Sequence, residues 1–239
     1  MDLSERRSAA SVLLLARLAA ERGVPDVLGP LRLDALRAPG AEVTAAQELD
    51  VVRALQAADP DPALPLLAGT RYHLTTYGIW GFALASSPTV RSALDLGARF
   101  VDLSFTFCGL VVEEDPTELR LCLDGAAVPA DVRDWVVARD LAGLRTLLVE
   151  LAGGLPLARL SLRQPQTPAP WGDVFGVEPA FGAPANEAVL DAALLDLPLP
   201  QADELTAAAT EEQCRALVSR RRARSGLAGR VRDAVLRTP

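Results

Sequence analysis

The order of helical and extended segments constrains the fold of this chain more than any single motif. Residues 44–58 and 131–151 carry apolar side chains at three- and four-residue steps, which is typical of amphipathic helices. Between them, residues 105–113 and 118–123 are strand-like and are joined by the turn sequence Glu-Asp-Pro-Thr. Further short strands are predicted at residues 157–162, 179–181 and 188–191.

These segments do not alternate as βαβ units would, so we expect an α+β domain with an antiparallel or mixed sheet covered by helices. The sequence Leu-Pro-Leu-Pro at residues 197–200 excludes both a helix and a central strand. Beyond it, residues 201–222 and 228–237 predict a C-terminal pair of helices. We therefore expect one domain in residues 1–200 and a helical linker or dimerisation segment in residues 201–239.

A helix is also predicted over residues 89–103. Pro88 suits the first turn of a helix, where its missing N–H is not needed, and Ser87 would then be the N-cap residue.

Composition limits the possible functions. The net charge is −7, which argues against DNA binding by this chain alone, because DNA-binding domains are usually basic on at least one face. All 24 basic residues are arginine, which excludes lysine Schiff-base chemistry and a lysine phosphate loop.

The 3 cysteines are far apart, follow no metal-ligand spacing and suit a reducing compartment. No segment has the roughly 20 apolar residues that span a bilayer. We expect a cytoplasmic protein without a membrane partner.

No residue pattern indicates catalysis. The sequence shows no Ser-His-Asp set, no glycine-rich phosphate loop and no distinctive acid–base pair. We expect no enzymatic activity, no metal and no cofactor. His73 is the only histidine in the sequence. Its side chain could act as a haem ligand or a general base, and the alternative is ordinary hydrogen bonding.

Aromatic residues are scarce, and several of them are candidates for the wall of an apolar ligand pocket. The candidates are Trp80, Phe82, Phe105, Phe107 and Trp135, with plain core packing as the alternative. Arg139 is a candidate clamp for a carboxylate ligand, the alternative being a helix-surface ion pair with Asp134 or Asp140. His73 completes the set of candidate ligand contacts.

Two motifs, about a hundred residues apart, resemble the sensor half of one subgroup of AraC-type bacterial transcription regulators. The first motif comprises Tyr77-Gly78, Gly81-Phe82-Ala83, Ser87-Pro88-Thr89 and Ala93-Leu94. The second comprises Phe181, Ala183-Pro184, Asn186, Leu195-Asp196 and Pro198-Leu199-Pro200. The resemblance covers nearly the whole chain.

The resemblance implies an effector-sensing domain that binds a small apolar or amphipathic molecule. Its signal would pass through residues 201–239 to a DNA-binding domain, which in such regulators follows the sensor and would begin near Pro239. DNA would then be a partner only through that absent domain. A homodimer is expected from the apolar stripes of the two tail helices. The alternative function is an oligomerisation module without a small-molecule ligand.

Overall fold

The computed structural model describes residues 2–225, so the second predicted tail helix, at residues 228–237, lies outside the described residues. Within that range the chain forms helices α1 (Ala10–Glu21), α2 (Leu33–Leu36), α3 (Ala45–Ala58), α4 (Leu64–Gly69), α5 (Ile79–Ser86), α6 (Val90–Arg99), α7 (Arg133–Ala152), α8 (Trp171–Phe175) and α9 (Glu204–Ser225). Three short 3-10 helices cover Leu74–Tyr77, Val101–Leu103 and Ala192–Asp196. None of the helices in residues 2–225 is long and apolar enough to cross a membrane.

The strands form two sheets. They are β1 (Arg6–Ser8), β2 (Glu42–Thr44), β3 (Gly109–Glu114), β4 (Glu118–Asp124), β5 (Arg159–Leu162), β6 (Ala180–Phe181) and β7 (Glu187–Asp191). Strands β1 and β2 pair with each other, and the larger sheet has the order β3-β4-β7-β5-β6. Only the β5–β6 pair of these ladders is parallel. The expected α+β class with a mixed sheet is confirmed.

Strand β4 shows why one face of the sheet is covered. Leu119, Leu121 and Leu123 alternate with more exposed residues and are buried, as a sheet with one face on the core requires. The turn before it is held by Asp115, whose carboxylate accepts hydrogen bonds from the backbone N–H groups of Thr117 and Glu118, each at 2.9 Å. The predicted hairpin is therefore present.

Helix α7 lies against α4 at very short range. A Cβ atom on Gly69 would lie 2.4 Å from both the carbonyl oxygen of Arg139 and the Cβ of Ala142. Only glycine fits this crossing, and it brings the backbone of α4 directly onto the middle of α7.

Two predicted boundaries are wrong. Strand β3 begins at Gly109 rather than residue 105, because the Asp140 carboxylate accepts a hydrogen bond from the Phe107 N–H at 3.0 Å and holds this segment as a loop. Helix α6 begins after Thr89 and ends at Arg99, and Ser87 does not cap it. The Ser87 hydroxyl donates instead to the carbonyl of Ala83 at 2.8 Å.

Thr89 is the true N-cap of α6. Its hydroxyl accepts from the Ser92 N–H at 3.2 Å, and the Ser92 hydroxyl accepts from the Thr89 N–H at 2.9 Å, which forms a capping box.

Loss of this cap should destabilise the domain. Thr89→Ala is expected to lower the free energy of unfolding by about 1 kcal/mol, as N-cap replacements do. Urea unfolding followed by circular dichroism measures this. Thr75→Ala, at an exposed residue outside this cap, is the control and should change little; equal stability of Thr89→Ala and the unmodified chain would contradict the assignment.

Candidate ligand-binding site

A cavity of about 80 Å³ lies between α5, α6, α7 and the segment that precedes β3. One water molecule needs about 10–15 Å³ of such space, so the cavity is larger than a single water site. Most of its wall is apolar: Leu84, Ala93, Leu94, Gly97, Ala98, Val101, Leu110, Leu123, Gly143, Leu144, Leu147, Leu148 and Leu151. A largely apolar wall with few polar groups is typical of small-molecule sites.

Four aromatic rings form one side of the cavity. Tyr77 lies at the centre of this cluster, with its ring centroid 5.0 Å from Trp80 and 5.1 Å from Phe105. Tyr72 lies 5.8 Å from Phe105. These are contact distances at which aromatic rings stabilise one another, so the wall is a connected structure rather than a set of separate side chains.

A network of buried charges forms the cavity floor. Arg139 of α7 is 1% exposed and donates to Asp140 Oδ1 at 2.6 Å and to Glu48 Oε1 of α3 at 3.2 Å. It also donates to the carbonyl of Phe105 at 3.1 Å. Burial by itself lowers the pKa of Arg139, but the nearby Asp140, Tyr72 and Glu48 raise it well above its usual value.

The N-terminal elements complete this network. Arg7 Nε of β1 lies 3.1 Å from Glu48 Oε2 in an ion pair that lacks hydrogen-bond alignment. Ser11 of α1 donates to Glu48 Oε1 at 2.5 Å, so the Tyr72 hydroxyl, 2.7 Å from Ser11 Oγ, is left to donate to Ser11. Two guanidinium groups thus meet two carboxylates.

Asp140 ties the loop before β3 to α7. Its Oδ2 accepts from the Thr106 hydroxyl at 2.7 Å and from the Phe107 N–H at 3.0 Å. The loop that carries Phe105 is therefore positioned by the Asp140 carboxylate of α7.

Two polar groups of the aromatic side lie outside this network. The buried Trp80 Nε1 has no hydrogen-bond partner among residues 2–225. The Tyr77 hydroxyl lies near Gly143 of the cavity wall, 3.7 Å from the position that a Cβ there would take, and burial raises the Tyr77 pKa. A buried N–H without a partner is costly, so an acceptor brought to Trp80 Nε1 would be favoured.

Three of the seven predicted contact residues, Trp80, Phe105 and Arg139, line the cavity. Their role in binding stays a prediction. Arg139 is engaged by Asp140, which was the alternative interpretation, although the pair is buried rather than on the surface.

The structure places the other four predicted residues outside the cavity wall. Phe82 is 61% exposed, because it lies on the outer side of α5 from Trp80. Phe107 stacks under Arg7, whose guanidinium carbon is 4.1 Å from the ring centroid. Trp135 is core, one turn of α7 before Arg139. These residues do not line the cavity, and their role in ligand binding stays a prediction.

His73 is also outside the wall, but it has a positioning role. Its Nδ1 lies 2.5 Å from Glu150 Oε1, and Glu150 Oε2 accepts from the Leu74 N–H at 2.7 Å. Glu150 of α7 thus holds the start of the 3-10 turn that carries Tyr77. No group of three His, Cys, Asp or Glu side chains in residues 2–225 is arranged to hold a metal ion.

Sequence reasoning missed Tyr72, Tyr77 and the leucines of α7. A signal existed for the leucines, because Leu144, Leu147, Leu148 and Leu151 recur at three- and four-residue steps on one face of the helix. Tyr77 stands in the first family-like motif. Nothing local in the sequence marks Tyr72.

Helix α9 packs behind the elements that line the cavity and does not line the cavity itself. The Asp203 N–H, just before α9, donates to the Ser86 carbonyl at the end of α5, at 3.0 Å. Arg99 of α6 pairs with Glu211 of α9 at 3.1 Å, and Arg221 donates to the Asp102 carbonyl of the adjacent 3-10 turn. The elements that line the cavity on one side therefore support α9 on the other.

Comparison with known proteins identifies the family. Residues 28–199 match the N-terminal arabinose-binding domain of AraC transcription regulators. The chain belongs to this family.

The relatives are bacterial regulators that are longer than this chain. An uncharacterised helix-turn-helix-type transcriptional regulator of Mycobacterium tuberculosis is 33% identical over 238 residues, which cover 94% of this chain and 69% of the relative. The ornithine utilization regulator of Pseudomonas aeruginosa is 26% identical over 217 residues, which cover 87% of this chain and 62% of that regulator. The crystal structure of the transcriptional regulator CdpR from Pseudomonas aeruginosa has the same fold, with a TM-score of 0.64 and 19% identity over 84% of this chain and 61% of CdpR.

The buried charges predict a large loss of stability when Arg139 is removed. Arg139→Met leaves Glu48 and Asp140 buried without their main partner and is expected to cost about 3–5 kcal/mol. Urea unfolding measures the loss. Arg53→Met, which breaks an exposed pair with Asp131, is the matched control and should cost about 0–1 kcal/mol.

Should Arg139→Met fail to fold, Thr106→Val gives a milder test, since it removes the 2.7 Å hydrogen bond to Asp140 and the hydroxyl contacts with the Cys108 backbone but leaves the charges paired. Equal costs for the Arg139 and Arg53 replacements would contradict the importance of the buried network.

Proposed function

We propose that this chain is the effector-sensing domain of a cytoplasmic AraC-type regulator. A small apolar or amphipathic molecule binds in the cavity between the aromatic cluster and α7, and the signal passes to a DNA-binding domain. The observation that carries the proposal is the cavity itself, which has apolar walls and an unpartnered indole N–H in a domain of this family.

The signal has a short route to the tail. Helix α5, whose Trp80 and Leu84 line the cavity, also contacts α9, and a helix with its side chains is about 10–12 Å thick. A ligand that shifts Trp80 or Leu84 moves the surface on which α9 lies. A coupling free energy of about 1–3 kcal/mol is enough for such regulation.

Ligand-induced stabilisation tests the proposal. Medium-chain alcohols, alkyl ketones and aromatic ketones are screened by thermal shift, because a ligand bound by the folded state raises its stability by about 2.7 kcal/mol at a hundred times its Kd. In a domain of this size that corresponds to a rise in Tm of roughly 5–11 °C. Ala93→Leu, which places a larger side chain at the cavity wall, should abolish the rise.

Ala35→Leu, at an exposed residue of α2, is the matched control and should respond like the unmodified chain. Hydrogen exchange of the amides in α9 should change when the ligand binds. If no compound raises the Tm, or if Ala93→Leu responds as strongly as the control, the sensing function is wrong.

A homodimer is the second part of the proposal, and a pure oligomerisation module is the alternative function. The supporting observation is that Leu205 of α9 and Phe82 of α5 are exposed, by 84% and 61%. The apolar residues of α9 that were expected to form the dimer contact are of two kinds. Cys214 and Val218 are buried against the sensor, whereas Leu205, Ala208 and Ala209 are exposed.

Sedimentation of the purified chain tests dimerisation. Leu205→Glu is expected to weaken the dimer, because it places a charge in the apolar contact. Val149→Glu, at a 41% exposed position of α7, is the control and should leave the association unchanged. A monomeric unmodified chain at high micromolar concentration would contradict the dimer.

A further inference from the structure

We infer that the cavity takes an uncharged, mostly apolar molecule whose acceptor oxygen bonds to Trp80 Nε1 and the Tyr77 hydroxyl. The inference rests on the proposed sensing function and specifies the chemistry of the ligand. It follows from two observations: which polar groups of the wall are already engaged, and which are not.

The charges at the cavity floor are balanced, and four of the five N–H donors of Arg139 are already engaged. Arg139 Nε donates to Asp140 at 2.9 Å, Nη1 to Glu48 at 3.2 Å, and Nη2 to both Asp140 and the Phe105 carbonyl. Arg139 and Asp140 are the charged residues of the cavity wall within residues 2–225, and they pair with each other. A bound carboxylate would lose its hydration and gain no unpaired cation, which is costly in an apolar site.

A bound ammonium group is disfavoured for the same reason. Both oxygens of Asp140 are occupied, Oδ1 by Arg139 and Oδ2 by Thr106 and the Phe107 N–H. A zwitterionic amino acid would thus bury two charges that this wall does not compensate.

The aromatic side offers the free polar groups. Trp80 is 6% exposed and its indole N–H is a donor without a partner. Its Cζ2, on the same edge of the ring as Nε1, lies 3.7 Å from the position of a Cβ on Gly97, so this edge faces the α6 part of the wall. Burial keeps the Tyr77 hydroxyl protonated by raising its pKa, so it too is a donor.

A sugar fits this wall poorly, although the family name refers to arabinose. A pentose carries hydroxyl groups on nearly every carbon, and each needs a partner when buried. The other hydroxyls of the wall already make hydrogen bonds: Tyr72 with Ser11, Thr106 with Asp140, and Ser104 Oγ as acceptor from the Thr106 N–H at 3.2 Å. A ketone, ester or amide oxygen on an apolar body suits the donors of the aromatic side better than a polyhydroxy compound does.

Three probes of similar shape separate charge from hydrogen bonding: acetophenone, which has a neutral carbonyl; cumene, which has no acceptor; and benzoate, which is charged at pH 7. Their Kd values are measured by ligand-observed NMR with the purified chain. Acetophenone should bind about 3- to 10-fold more tightly than cumene, the gain of a typical hydrogen bond. Benzoate should bind more weakly than both.

Two variants locate these preferences. Trp80→Phe keeps an aromatic wall but removes one of the two donors, so the preference for acetophenone over cumene should become clearly smaller. Asp140→Asn removes one negative charge beside Arg139, so the affinity of benzoate relative to acetophenone should rise at least several-fold. Arg53→Met, far from the cavity wall, should keep the preferences of the unmodified chain.

Every outcome decides the inference. Benzoate binding as tightly as acetophenone to the unmodified chain overturns the claim of an uncharged ligand. Equal binding of cumene and acetophenone, or an unchanged preference in Trp80→Phe, overturns the acceptor contact. These failures leave a functioning pocket, whereas binding of none of the three probes at millimolar concentration overturns the pocket and the proposed sensing function with it.

Discussion

The ion pair between Arg139 and Glu48, buried to 1% and 0% exposure of their side chains, is the interaction on which the rest of the domain depends. It joins α7, the helix along the cavity, to α3 of the N-terminal part of the chain. Asp140, the next residue, fixes the loop that carries Phe105. A buried ion pair is weak evidence for net stability, but it makes any other arrangement of these elements expensive, because separation would leave isolated charges in the core. The network therefore determines the shape of the cavity more than it contributes to the total stability.

The same network explains why the cavity keeps apolar walls beside four charged groups. Each charged group is paired with an oppositely charged group or a backbone group of the protein. The surface that faces the cavity therefore carries no net charge. The aromatic cluster around Tyr77 is arranged in the opposite way: its rings contact one another, and Trp80 Nε1 has no hydrogen-bond partner among residues 2–225. In the proposed complex, the aromatic side would therefore orient the ligand. The paired charges of the floor would hold that part of the wall in place.

The sequence was sufficient for elements whose signal is local. The periodicity of α7, the hairpin turn at Asp115 and the interruption by Pro198 and Pro200 led to the correct class of fold. The site was predicted only in part, because its geometry depends on long-range contacts. Phe82 and Trp80 are separated by one residue, yet the helix sends one outward and the other to the cavity, and the hydrophobicity of α5 on all sides gave no hint of which. Tyr72 and Glu48 enter the site only through partners distant in sequence, a relation that one sequence cannot display.

Helix α9 lies behind one part of the cavity wall and not behind the rest. Amino-acid replacements in these two parts of the wall therefore have different consequences. Replacements at Trp80 or Leu84 change α5, which lines the cavity and also contacts α9. Replacements at Leu110 and Leu123 of the sheet, or at Leu144 and Leu148 of α7, alter only what it accepts. Paralogues that respond to new compounds but keep an inherited output should therefore differ first on the sheet and α7 side. The two helices beneath α9 would then be the slowly changing part of the lineage.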